Sequence, residues 1–286
     1  MAKQSTDGDN IIYHYIQKTL LSDGEPDAFT RTLIERLLVD LSIWFPPEVY
    51  RQIPILLPYT VRDASCRKKG NDGSEEWGTA NERGFLRDDN SLVKAVVKSF
   101  VISGNSIKEY DKKKLGNGFV AAHIWRKLNS AYGEDLASTI AQTNSFVPNL
   151  VWLPRQISKL TDREGSFAQR LLQSLSRQIY AGHSSSEFKQ RIWAMLPETD
   201  VQPERPIDLA RLNYFDVPTE WIERRKQGLI DEMERIRSCV EAGEISAKKV
   251  KCSAYLPSLS GKLAPEHTST LLEWLDANIR ELSTNQ

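Results

Sequence analysis

The chain has 286 residues, 40% of them hydrophobic and 27% charged, a composition that supports one large or two modest globular domains with a real core. No apolar run approaches the roughly 20 residues that span a bilayer, and the opening MAKQSTDGDN lacks the charged-then-apolar order of a signal peptide, so a cytoplasmic protein with no membrane partner is expected. Lys and Arg number 38 against 38 Asp and Glu, so net charge names no partner, and Cys66, Cys239 and Cys252 form no CxxC pair, which argues against a zinc knuckle and a disulfide framework.

Along the chain, IIYHYIQKTLL and DAFTRTLIERLLVDLSIWF read as helices. In the second, Phe29, Leu33, Leu37, Leu38 and Leu41 recur at helical spacing, Asp27 is the expected N-cap, and Pro46 and Pro47 are expected to stop the helix. The stretch RDASCRKKGNDGSEEWGTANERGFLRDDNS predicts a long surface loop, whose Arg62, Arg67, Lys68, Lys69, Arg83 and Arg87 read first as a solvated surface and, as the alternative, as contacts along a phosphate backbone. SLVKAVVKSFVIS resumes apolar periodicity with Ser91 as its cap, and GNGFVAAHIW then gives glycine punctuation and a short strand ending in a histidine, His123.

NSFVPNLVWLP holds a second short apolar run, and SFAQRLLQSLSRQIYAG predicts an amphipathic helix ending near Gly182. SSEFKQRIWAMLP is read as another helix. Beyond the proline-bearing PETDVQPERP, the stretch PTEWIERRKQGLIDEMERIRSCVEAG is read as a long charged one, with Trp221, Leu229, Met233 and Ile236 as its main apolar residues. Between Arg62 and Arg163 there are 17 Lys and Arg against 12 Asp and Glu, a mild basic surplus that suits a polyanion near His123.

The order strand, histidine, connection, Asn149, second strand, helix is one that suits phosphodiester cleavage: a neutral imidazole activates water while a divalent ion neutralises charge developing on phosphate. At these residues the chain resembles the HNH, or ββα-metal, nucleases. AAHIW is similar to the AAHI opening of one branch of that family, and NLVWLPRQISKLTD is similar to its second half. The spacing agrees, with Asn149 standing 26 residues after His123, Ser158 nine after Asn149, and Asp162 thirteen after Asn149. The likeness covers roughly residues 116 to 175.

The resemblance implies that His123 is the water-activating base, that Asn149 orients its loop, and that Asp162 and Ser158 stand at the metal positions, with Mg²⁺ or another divalent ion as cofactor. Two departures accompany it. Ser158 stands where the family carries a histidine or asparagine, and a hydroxyl is a poor ligand beside an imidazole; Ala122 stands where many members carry a ligand. Asp162 also reads as an N-cap for the following helix. Arg126, Lys127, Arg155, Lys159 and Arg163 are the candidate phosphate contacts, whereas Trp125 and Trp152 are read as core packing.

The resulting expectation is an α+β protein, mostly helical with a small ββα-metal module. It divides into an N-terminal helical region 1–60, a charged loop and helix 61–115, the HNH-like module 116–182 and a C-terminal helical region 183–286. The implied activity is metal-dependent DNA cleavage in restriction or phage defence, by a homodimer or with a partner subunit. The alternative is a catalytically degenerate, nucleic-acid-binding or interaction subunit, to which Ser158 points.

Overall fold

The computed structural model describes residues 26–63, 80–203, 206–242 and 263–284, together with 11, 14 and 15. Arg67, Lys68, Lys69, Cys66 and Cys252 lie outside the described residues. In chain order the elements are α1 (Ala28–Leu41), β1 (Ile43–Trp44), α2 (Pro47–Gln52), β2 (Thr60–Arg62), β3 (Leu86–Asp88), α3 (Ser91–Val96), β4 (Val101–Ser103), β5 (Phe119–His123), α4 (Ala141–Asn144), β6 (Leu150–Pro154), α5 (Arg155–Ser158), α6 (Phe167–Tyr180), α7 (Glu187–Ala194), β7 (Asn213–Asp216), α8 (Thr219–Glu241) and α9 (Thr268–Thr284). The fold is α+β, mostly helical with a small mixed sheet. Among the described residues no helix is long and apolar enough to cross a membrane.

Asp27 caps α1 as its sequence predicts, its carboxylate accepting from the backbone N–H of Thr30 at 2.8 Å. The buried face of α1 is Thr30, Ile34 and Leu38 rather than the expected stripe: Phe29 is 77% exposed. The two prolines do not end this helix either. It stops at Ser42, because Ile43 and Trp44 leave the helical path to become the middle strand of a five-stranded sheet, and Pro47 instead opens α2.

That sheet runs β4-β7-β1-β6-β5, and it takes a strand from each of the four sequence stretches. Ile43 pairs antiparallel with Trp152 of β6 and parallel with Asn213 of β7, while β5 pairs antiparallel with β6 at the edge. Phe45 packs at 5.3 Å from Trp152 and 5.4 Å from Phe215, and Trp152 meets Phe215 edge-on at 5.1 Å. Edge-to-face geometry adds electrostatic attraction to the burial of these large rings.

Helix α6 lies against the sheet. Ser166 caps it by accepting from Gln169, Leu171, Leu172 and Leu175 are wholly buried, and Tyr180 donates to the carbonyl of Phe45 at 2.7 Å. The cap is therefore Ser166 and not Asp162. The two C-terminal helices close the fold, and α9 is fastened by a buried ion pair. Lys189 of α7, 2% exposed, reaches Glu281 of α9 at 3.4 Å and donates to the carbonyl of Arg51 at 2.8 Å.

The stretch read as one long surface loop is more ordered where it is described. Thr60–Arg62 and Leu86–Asp88 form a parallel pair, in which Arg87 is buried and ion-paired to Asp63 at 3.7 Å. Arg87 is thus part of the packing and not a phosphate contact.

Candidate functional site

The β5–β6 pair sets the site. Its register matches Phe119 with Pro154 and His123 with Leu150, so the histidine stands at one end and the start of α5 at the other. Four residues along β5 separate those ends by about 13 Å. At the α5 end, Gly118 adopts a left-handed φ of +86°, where glycine carries no steric cost, and its carbonyl accepts from Arg155 at 2.8 Å.

Asn149 is fully buried at the histidine end. Its Oδ1 accepts from the backbone N–H of Trp125 at 2.7 Å, its Nδ2 donates to the carbonyl of Thr143 at 2.8 Å, and its own carbonyl accepts from Ile124 at 3.0 Å. One side chain thus ties the segment leaving β5 to the segment entering β6. Gln169 of α6 adds a further tie by donating to the carbonyl of Ile124 at 3.1 Å.

His123 is half-buried, and its Nε2 lies 2.8 Å from the carbonyl oxygen of Asn144, at the end of α4. A carbonyl only accepts, so Nε2 carries the proton and Nδ1 presents its lone pair. Nδ1 has no hydrogen-bond partner among the described residues. Burial lowers the imidazole pKa to about 4, with the positive charge of Arg62 acting in the same direction and the bond to Asn144 opposing both. At neutral pH the ring is therefore an uncharged acceptor on a fixed tautomer.

The carbonyl of Asn144 is itself held in place. Asn144 is buried, and its Nδ2 donates to the carbonyl and hydroxyl oxygens of Thr60 in β2, at 3.2 and 3.3 Å. Asn144, Thr143, Thr60 and Gln169 are the site residues that sequence reasoning missed. For Thr143 and Asn144 the available signal was the polar run Gln142, Thr143, Asn144 and Ser145 just before the apolar strand segment; Thr60 and Gln169 stand outside it.

The remaining residues divide by location. Arg126 and Lys127 are exposed just beyond His123, whereas Arg155 is exposed at the opposite end of the strand pair. Ser158 is buried, and its hydroxyl donates to the carbonyl of Arg155 at 2.8 Å, one turn back. Asp162 is exposed and pairs with Lys159 at 3.1 Å, and Arg163 is exposed beside it. Trp125 and Trp152 are core residues: the Trp125 indole donates to the carbonyl of Pro197, and Arg177 lies over its ring.

These donors do not fit a divalent ion as arranged. The Ser158 hydroxyl is turned back onto its own turn, the Asp162 carboxylate lies on the exposed surface beside Lys159, and the Asn149 amide bonds two backbone groups. Among the described residues no group of three or more His, Cys, Asp or Glu is placed to hold a metal ion. Of the other histidines, His183 stands just after α6 and His267 just before α9. In comparisons with known proteins, the chain matches no family model, no curated protein and no solved structure.

Proposed function

We propose that this chain is an endonuclease of the HNH kind that hydrolyses phosphodiester bonds in DNA, working in the cytoplasm in restriction or phage defence. In this reading β5, β6 and α6 are the ββα unit, and the helical remainder supplies DNA contacts and the surface for a second copy or a partner subunit. The observation that carries the reading is the His123 ring, neutral at pH 7 and fixed by the Asn144 carbonyl so that Nδ1 is the free acceptor.

His123 acts as general base. A water oxygen bonds to phosphorus as the bond from phosphorus to the leaving sugar oxygen breaks. The water proton passes to Nδ1, and the leaving oxygen takes a proton from solvent. Asn149 keeps the ring at the strand end by clamping the backbone on both sides of it. Arg126 and Lys127, exposed next to the ring, hold the flanking phosphates, and Arg155, Lys159 and Arg163 extend the basic surface along the helical side. No step is assigned to a divalent ion, because the side chains at the family's ligand positions do not fit one.

The test is cleavage of supercoiled plasmid and phage DNA in Mg²⁺, Mn²⁺ or EDTA by the wild type and by His123→Ala. The expected result is cleavage that falls roughly 100- to 10,000-fold in the variant, with folding and DNA binding retained. Cleavage at the wild-type rate in the variant removes His123 from the chemistry.

A second reading, a non-cleaving subunit that binds nucleic acid or a protein partner, is favoured by the local bonds that occupy Ser158 and Asp162. DNA binding without cleavage in every metal condition would select it.

A further inference from the structure

The polar cluster at His123 reaches a third element, and that element carries a cation. Asn144, whose carbonyl holds the imidazole, donates its side-chain amide to the hydroxyl oxygen of Thr60. The Thr60 side chain therefore faces the His123 cluster. Residues two apart on a strand share a face, so Arg62 projects from β2 on that side, about 7 Å further along. Arg62 is half-buried, and it stands opposite Asp88 of β3 in a parallel register that fixes the strand bearing it. The same closeness is felt electrostatically, since the guanidinium is the second largest influence holding the His123 ring neutral.

Phosphoryl transfer asks a protein mainly for position and positive charge at the non-bridging oxygens. A guanidinium meets both demands with parallel N–H donors in a fixed plane, and partial burial strengthens each bond it makes. The exposed Arg126 and Lys127 lie on the strand exit and face solvent, where charge is screened. Resting on the nuclease reading, we propose that Arg62 is the residue that grips the scissile phosphate at His123, with its guanidinium donating to the non-bridging oxygens while Nδ1 of His123 faces the attacking water. Strand β2 is then part of the reaction centre, although it lies about 60 residues before the HNH-like motif.

The experiment uses the full chain with isotopically labelled histidine, the His123 ring signals being assigned by comparison with His123→Ala. Inorganic phosphate is titrated into the wild type, Arg62→Gln and Arg62→Lys, and plasmid cleavage is measured on the same samples. In the wild type, phosphate should move the His123 signals. In Arg62→Gln that response should vanish, the ring should titrate above its wild-type midpoint of about 4, and cleavage should fall roughly 100-fold. Arg62→Lys keeps the charge and guards against misfolding as the cause: its His123 midpoint should stay near the wild-type value while only part of the cleavage returns.

An undiminished phosphate response in Arg62→Gln, or cleavage at the wild-type rate, overturns the assignment. A wild type that cleaves nothing, but whose phosphate response disappears in Arg62→Gln, defeats the nuclease reading and leaves Arg62 as a phosphate-binding residue.

Discussion

His123 and Asn149 find their hydrogen-bond partners in other segments of the chain. His123 bonds to a carbonyl 21 residues away, and Asn149 bridges Trp125, 24 residues before it, to Thr143. Ser158 and Asp162, which belong to the same motif by spacing, find theirs three residues away within a single turn. One motif therefore contains two kinds of geometry. The first half is held by the tertiary fold and keeps its atoms in fixed positions, because breaking a buried bond strands its partner. The second half satisfies itself locally, and its exposed pair is worth little in water.

The largest expected effect on stability comes from cutting the clamp. Asn149→Ala leaves the Trp125 N–H and the Thr143 carbonyl without partners in a site closed to water, at about 1–3 kcal/mol for each stranded group. Chemical denaturation should report a loss of roughly 2–4 kcal/mol, with cleavage lost alongside it. Asn149→Asp should be nearly as damaging, since a carboxylate keeps the Trp125 bond but turns an acceptor toward the Thr143 carbonyl. A loss below about 0.5 kcal/mol, the range of ordinary surface substitutions, would erase the distinction between the two halves.

The next effect is a dependence on pH. The imidazole pKa is near 4 folded against 6.5 in its ordinary state, so between those values the unfolded chain binds a proton that the folded chain refuses. Stability at His123 is fully present above pH 6.5 and declines as pH falls through 6.5 toward 4. The total is on the order of 3 kcal/mol, since each pH unit between the two values is worth about 1.4 kcal/mol. Unfolding free energies of the wild type and His123→Leu should converge or cross over this window, because only the wild type carries the His123 contribution to the slope. Asp88, whose carboxyl is raised by burial, titrates in both proteins and drops out of the difference. Parallel curves would mean that the ring is not held neutral by the fold.

How much of this is written in the sequence follows the same division. Periodicity locates α6 and α8, and glycine punctuation locates β5, because each depends on residues a few positions apart. The positions of His123 and Asn149 are also legible, through their spacing. The partner of His123 is not. Asn144 sits in a four-residue helix too short to show a period, and it is anchored on Thr60, 84 residues earlier. The central strand is hidden for a related reason: Ile43 and Trp44 continue the apolar pattern of α1, and only their pairing with β6 and β7 makes them a strand. Arg87 looks like a surface residue because its neighbours in the chain are polar, while its burial depends on the parallel pairing of β2 with β3 and on Asp63.

The smallest effects fall on the locally satisfied half, and they sharpen the comparison most. Asp162→Asn removes one partner of an exposed pair whose side chains are 46% and 44% accessible, so stability should move by less than about 0.5 kcal/mol. Ser158→Ala deletes a hydroxyl that bonds within its own turn and leaves a carbonyl at a helix end, at about 1 kcal/mol or less. Both variants should cleave plasmid within about twofold of the wild type, a difference under about 0.5 kcal/mol in the barrier. Loss of cleavage in either, with stability intact, would give Ser158 or Asp162 the metal-site role that the family resemblance implies. The second half would then be drawn into the reaction centre when DNA binds, and the boundary between the two halves would mark a moving part instead of a spent one.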